Sequence, residues 1–175
     1  MIKALFLDRD GVINIDHGYV YKIEEFTFTE GIFDLLRLFI KEGYALFIVT
    51  NQSGIGRGYY SEEDFQKLTA WMLEAFKKEE INIVSVHHCN HAPEENCACR
   101  KPQTGMVDEI LSENSIDLDY SWLIGDKQSD IDLARNSKIK NTIAIGQKDI
   151  NYSTLSFKSI LECKEYFDKN KLKIL

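Results

Sequence analysis

Short apolar runs that stop abruptly at acids, hydroxyls or glycines recur along this chain. They are IKALFLD at 2–8, YALFIVTN at 44–51, INIVSVHH at 81–88, SWLIGD at 121–126 and NTIAIG at 141–146. Runs of this length with no polar alternation are the pattern of strands buried on both faces. Between them lie stretches with apolar residues at helical spacing. The first, 31–43, carries Ile32, Leu35, Leu36, Leu38 and Phe39 and has Gly43 as its stop. The second, 61–80, opens with Ser61 and Asp64 at capping-box spacing and bears a stripe through Phe65, Leu68, Trp71, Met72 and Phe76. Further helices are predicted over 104–114 and 129–138, and a last one over 158–168. Strand and helix in alternation predict an α/β fold with a doubly wound, Rossmann-like parallel sheet. No linker, repeat or long insertion interrupts the pattern, so a single domain over 1–175 with no separate cap domain is expected.

In such sheets ligands sit beyond the carboxyl ends of the strands. The first run ends in LDRDGVIN, with Asp8 and Asp10 two residues apart. In extended chain that spacing turns both carboxylates toward one pocket, where they need a cation or a shared proton. Alone, the pair also suits a solvated Asp-Gly turn. The second run delivers Thr50, Asn51, Gln52 and Ser53 and then GIGRG, a loop rich in hydroxyls and free N–H groups of the kind that suits phosphate oxygens. The third leads to Lys101, and the fourth ends in GDKQSD with Asp126 and Asp130. Carboxylates from separate strand ends, with a threonine and a lysine among them, predict a Mg²⁺ and phosphate site.

Three of the four cysteines fall in one loop, CNHAPEENCACRKPQTG, in the pattern Cys89-x-His91-x5-Cys97-x-Cys99. Three thiols and an imidazole are the soft donor set of a closed tetrahedral zinc site. A redox Cys-x-x-Cys is missing, and Cys97-x-Cys99 would close a strained disulfide ring. His87 and His88 are rival ligands by proximity, and a reduced, metal-free loop is the alternative. Cys163 stands alone and reads as a structural thiol.

The formal charge of −7 argues against a nucleic-acid binder, which needs a basic face. No apolar run reaches the ~18–20 residues of a membrane span, and the N-terminal stretch is too short for a signal peptide. A cytoplasmic monomer with a small-molecule substrate is expected. In that reducing setting, clustered cysteines are metal ligands or catalytic groups more often than disulfides.

Asp8-x-Asp10, Thr50, Lys101 and Gly125-Asp126-x3-Asp130 resemble the four ordered motifs of haloacid dehalogenase-type phosphatases. The stretches DRDGVINIDHGYV, TNQSGIGRGYY, CACRKPQTGM and IGDKQSDI are similar to those of the D-glycero-D-manno-heptose 1,7-bisphosphate 7-phosphatases. The likeness runs from about Ile2 to Gly146 and leaves out the last thirty residues or so. It implies the haloacid dehalogenase fold and a hydrolase that removes the C7 phosphate of the heptose bisphosphate. Histidinol-phosphate phosphatases share the zinc loop and are the alternative; a catalytically inactive binding module is a remote one.

The resemblance implies Asp8 as nucleophile, Asp10 as general acid and then base, and Thr50 and Lys101 as phosphoryl ligands. Mg²⁺ is implied on Asp8, the Asp10 backbone carbonyl and Asp126, with Asp130 positioning Lys101. It selects His91 as the fourth zinc ligand beside Cys89, Cys97 and Cys99. Substrate contacts are implied for Asp16, His17, Gly18 and Tyr19, for Thr50 through Ser53, and for Lys101, with Lys127 supporting the acids. Arg100 is expected to read the second phosphate, and Arg57 to face solvent or serve a structural role. Val12, Gly56 and a short loop with five residues between His91 and Cys97 depart from the usual pattern; the short loop bears on which anomer is preferred.

Overall fold

The computed structural model describes residues 1–146 and 149–170. Six parallel strands form its centre: β1 (Lys3–Leu7), β2 (Tyr44–Asn51), β3 (Ile83–Cys89), β4 (Trp122–Gly125), β5 (Asn141–Ile145) and β6 (Leu155–Phe157). Their order across the sheet is β3-β2-β1-β4-β5-β6. The chain winds outward from β1 in both directions, so the order reverses between β1 and β4. That reversal opens a crevice at the carboxyl ends of the two strands.

Continuous apolar runs form these strands because both faces are covered. In β1, Leu5 and Leu7 enter one core cluster while Ala4 and Phe6 enter the other. The first cluster is closed by α1 (Ile32–Lys41), α3 (Glu62–Lys78) and α6 (Ile160–Asn170), the second by α4 (Gly105–Glu113) and α5 (Gln128–Asn136). A short α2 (Ser53–Gly56) follows β2 directly. Two expected helix boundaries are present in detail. Gly43 adopts φ 84° just past α1, the left-handed conformation that ends helices. At the start of α3, the Ser61 hydroxyl accepts from the Asp64 N–H (3.1 Å), and the Asp64 carboxylate accepts from the Ser61 N–H (2.8 Å).

The structure differs from the sequence reading in three places. β3 starts at Ile83, because the Ile81 N–H bonds the Phe76 carbonyl at the end of α3 (2.9 Å). The same strand runs on through Cys89, so a candidate metal ligand is anchored in the sheet. β6, only three residues long, was not anticipated; a segment that short shows no period. With α6 it makes the tail part of the fold. Phe167 packs edge-to-face on Phe39 of α1 (5.6 Å between centroids) and on Trp122 of β4 (6.2 Å). Among the described residues no helix is long and apolar enough to cross a membrane.

Phe167→Ala should remove this plug and lower the unfolding free energy by about 3 kcal/mol, as buried Phe→Ala changes do. Chemical denaturation read by tryptophan fluorescence measures it. An unchanged midpoint would show that the tail does not support the core.

Candidate active site

The acids at the strand ends meet around one buried ammonium. Lys101 Nζ lies 2.8 Å from Asp8 Oδ1, just beyond β1, and 2.7 Å from Asp130 Oδ1 on α5. It also donates to the Val49 carbonyl of β2 (3.0 Å). The ammonium thus sits within ion-pair distance of two carboxylates while hydrogen-bonding one backbone carbonyl. Burial works against the charged Lys101, but Asp130 and Asp8 outweigh it and push its pKa upward. Burial likewise lifts Asp8 to about 7, against the pull of Lys101. Asp126, at the end of β4, is raised by burial too.

Asp8, Asp126 and Asp130 offer oxygens that all lie within 4.8 Å of one another. Asp126 Oδ1 is buried without a hydrogen bond, its nearest cation being Lys127 Nζ at 3.8 Å. Three acids against one buried lysine leave negative charge in excess, and an orphaned carboxylate oxygen faces it. Hard oxygen donors in this arrangement fit Mg²⁺. Asp130 Oδ2 is turned to the N–H groups of Asp126 (3.2 Å) and Lys127 (3.0 Å).

The Asp10 carboxylate is outside this cluster. Strand β1 ends at Leu7, and the chain then turns, with the N–H groups of Val12 and Ile13 bonding the Arg9 carbonyl. The i, i+2 rule for extended chain therefore does not hold from Asp8 to Asp10. Asp10 Oδ1 accepts from Arg9 Nη2 and Asn14 Nδ2, both at 3.0 Å, and Oδ2 accepts from Gln52 Nε2 at 3.0 Å. The expected metal contact of Asp10 involved only its backbone carbonyl.

A cavity of about 220 Å³ opens beside Asp10. It is lined by Asp10, Asp16, Gly18, Tyr19, Asn51, Gln52, Ser53, Tyr60 and Lys127. Most of the expected substrate residues are thus brought together; His17, Thr50, Arg100 and Lys101 are not in its lining. Asp16 accepts from the Gly18 N–H (2.9 Å) and lies 3.6 Å from Lys127 Nζ. Tyr19 meets Tyr59 edge-to-face at 4.8 Å, and both rings are exposed. Arg100 is half-buried, and its Nη1 has no hydrogen-bond partner among the described residues. A larger cavity of about 390 Å³ adjoins Asp16 and Asp126, with apolar walls from Ile15, Ile145, Ile160 and Leu161.

Asn51 and Gln52 line the cavity, yet their amides are engaged within the protein. Asn51 clasps the Lys101 backbone, its Oδ1 accepting from the Lys101 N–H (2.9 Å) and its Nδ2 donating to the Lys101 carbonyl (3.3 Å). Gln52 Nε2 donates to both Asp10 and Thr50 Oγ1 (2.9 Å). Arg9, Asn14 and Tyr60 around Asp10 escaped the sequence reading. The one available signal was a basic residue placed between two acids in DRD.

The four soft donors of the cysteine loop converge. Cys89 Sγ lies 2.8 Å from Cys99 Sγ and 3.4 Å from Cys97 Sγ, and His91 Nδ1 is 3.2 Å from Cys99 Sγ. None forms a disulfide. Burial raises the Cys89 thiol, whereas Cys97, despite burial, is lowered to about 7 by the Arg100 N–H and its neighbouring thiols. This donor set fits a tetrahedral zinc ion. The rival imidazoles are engaged elsewhere: His87 Nδ1 is 3.0 Å from Glu109, and His88 stacks on Phe65 with Nε2 2.7 Å from Glu62.

Gly56 explains how so short a loop packs. A Cβ there would lie 2.5 Å from the Ala92 N and 2.8 Å from the Asn90 carbonyl oxygen. Arg57 is exposed, as expected, with Nη2 3.9 Å from Glu94 of the same loop. Gly56→Ala should push the loop outward, and the cysteines should then react several-fold faster with a thiol reagent under a chelator. An unchanged rate would mean that the contact is slack.

Comparison with known proteins bears on these residues. The chain matches the family described as polynucleotide kinase 3 phosphatase over residues 7–166, beyond the point where the sequence likeness was expected to end. It is 46% identical over 165 residues to a D-glycero-beta-D-manno-heptose-1,7-bisphosphate 7-phosphatase of Helicobacter pylori, covering 94% of this chain and 93% of that one. It is 48% identical over 166 residues to a D-glycero-alpha-D-manno-heptose-1,7-bisphosphate 7-phosphatase of Campylobacter jejuni, covering 94% and 95%. A crystal structure of a D,D-heptose 1,7-bisphosphate phosphatase from B. bronchiseptica, complexed with magnesium and phosphate, superposes with a TM-score of 0.83 at 23% identity, covering 97% of this chain and 99% of that one. At that identity it speaks for the fold.

Proposed function

This chain belongs to the polynucleotide kinase 3 phosphatase family, and from that premise we propose that it removes the C7 phosphate of D-glycero-D-manno-heptose 1,7-bisphosphate. The observation that carries this reading is the convergence of Asp8, Asp126, Asp130 and Lys101 in a chain nearly half identical, along its length, to enzymes of that name. It is a phosphoric monoester hydrolase acting on a small sugar bisphosphate. An acidic chain with a compact polar cavity suits that substrate better than a polynucleotide.

In this reading a carboxylate oxygen of Asp8 attacks the phosphorus, forming an acyl phosphate as the bond from phosphorus to the sugar oxygen breaks. Asp10 gives its proton to that departing oxygen. Water then attacks the phosphorus, Asp10 takes the water's proton, and phosphate leaves with Asp8 restored. Dividing the displacement in two lowers each barrier. Lys101, held against Asp8, would neutralise charge on the phosphoryl oxygens, with Thr50 donating to them. Mg²⁺ would be held by Asp8, the Asp10 backbone carbonyl and Asp126, and when bound it offsets the charge that these acids and the phosphoryl group accumulate.

Asp16, Gly18, Tyr19, Ser53 and Lys127, which line the cavity, would contact the sugar, with His17 beside them on the same loop. Arg100, directly before Lys101, would serve as a planar donor to the second phosphate. Zn²⁺ would be held by Cys89, His91, Cys97 and Cys99. Four protein ligands leave no open position, so when bound it folds the loop that carries Arg100 and Lys101. Unpaired thiols fit a cytoplasmic enzyme acting as one catalytic unit, whose product enters surface polysaccharide synthesis.

Phosphate release from the synthetic α and β bisphosphates, with histidinol phosphate as control, tests the assignment. Mg²⁺-dependent turnover of a heptose bisphosphate, far above that of histidinol phosphate, is expected, and Asp8→Asn should abolish it. Preference for histidinol phosphate, or normal turnover by Asp8→Asn, would overturn it. Zinc-stripped protein should lose hydrogen-exchange protection over 89–101 and bind substrate more weakly. Unchanged protection and KM would remove zinc from the account.

A further inference from the structure

Asp10 is held by three donors on two separate elements, an arrangement far more constrained than a solvated turn requires. Oδ1 accepts from both Arg9 and Asn14, whereas Oδ2 accepts from Gln52 alone, and Asp10 lines the cavity. Two donors on Oδ1 leave no room for a proton there. Oδ2, with a single donor, is the oxygen left free to engage a ligand, and Gln52 sets the direction in which it points.

Each member of this clamp is fixed in turn. Arg9 is 1% exposed; its Nη2 also donates to the Val20 carbonyl (2.6 Å), and its guanidinium carbon lies 5.9 Å from the Phe65 ring centre. Gln52 is 2% exposed, with both Nε2 hydrogens engaged and its Oε1 accepting from the Tyr60 hydroxyl. Tyr60 reaches it because residue 54 is glycine: a Cβ there would stand 2.1 Å from Tyr60 Cε1. Tyr60 is itself stacked on Tyr21, 5.1 Å between centroids.

We propose that Gln52, oriented by Tyr60, and Arg9 are positioning residues that aim Asp10 Oδ2 at the departing sugar oxygen. Gln52 then acts through Asp10 and is not chiefly a substrate contact. The inference rests on the reading of Asp10 as general acid, and the experiment separates the two.

Proton donation matters most when the leaving group is a poor one, and least when it departs readily as an anion. kcat/KM of the Mg²⁺-loaded enzyme would be measured on phenyl, para-nitrophenyl and dinitrophenyl phosphate, for wild type, Asp10→Asn, Gln52→Met, Tyr60→Phe and Arg9→Lys. None of these substrates carries a sugar, so a lost sugar contact cannot alter the trend along the series. Asp10→Asn should lose roughly 100-fold or more on phenyl phosphate and little on dinitrophenyl phosphate. Gln52→Met and Tyr60→Phe should show the same steepening, roughly tenfold on phenyl phosphate and within about threefold on dinitrophenyl phosphate. Tyr60→Phe retains the ring and keeps the test open if Arg9→Lys fails to fold.

A parallel loss on all three substrates, or no loss at all, in Gln52→Met and Tyr60→Phe would overturn the clamp if Asp10→Asn steepens the series. A parallel loss in Asp10→Asn would overturn the general-acid reading first, and the clamp with it.

Discussion

The Lys101 ammonium ties together parts of the chain that nothing else brings to one point. It is buried, with acceptors from the end of β1, from β2 and from α5, and it leaves the cysteine loop at the moment it reaches them. A buried charge so placed stabilises only in company, because removing either acid strands an ion in a poorly solvated site. The pair Asp8–Lys101 is thus less a source of net stability than a constraint on geometry. It dictates how close α5 may come to β1 and where the cysteine loop must end. The double hydrogen bond from Asn51 to the Lys101 backbone supplies the second point of that attachment.

Around this constraint the site divides into two halves with different chemistry. On one side Asp8, Asp126 and Asp130 crowd negative charge that a cation can balance. On the other Asp10 faces neutral and positive donors, and a cavity opens beside it. Two carboxylates a single residue apart meet different surroundings because the strand ends at Leu7 and the backbone turns between them. The cysteine loop contributes by position, since Cys99 directly precedes the two basic residues that meet phosphate in the proposed reaction.

Much of this was legible from the chain. The five principal strands were visible because burial on both faces requires unbroken apolar runs, and the capping residues Ser61, Asp64 and Gly43 marked helix ends through local hydrogen bonding and backbone conformation alone. Asp8, Asp126 and Lys101 were legible because strand ends are where ligands bind. The three-residue β6 was not, since a segment of that length has no period and takes its conformation from pairing with β5. Arg9 and Tyr60 were hidden for a related reason. A buried arginine and a tyrosine hydroxyl acquire meaning only from partners that lie eleven and eight residues away, at Val20 and Gln52.

What the sequence determined by itself is the periodic and the local: which segments are strands or helices, where each ends, and which reactive groups stand at those ends. Those properties follow from hydrophobic patterning and from backbone hydrogen bonds over a few residues. Tertiary structure alone decided which carboxylates crowd together, which amides are engaged inside the protein, and which glycine admits a neighbouring loop. These depend on where distant segments cross, and the crossing is set by the close packing of two core faces. Asp10 belongs to both accounts: its identity was plain in DRDG, and the aim of its carboxylate came only with Gln52 and Arg9 beside it.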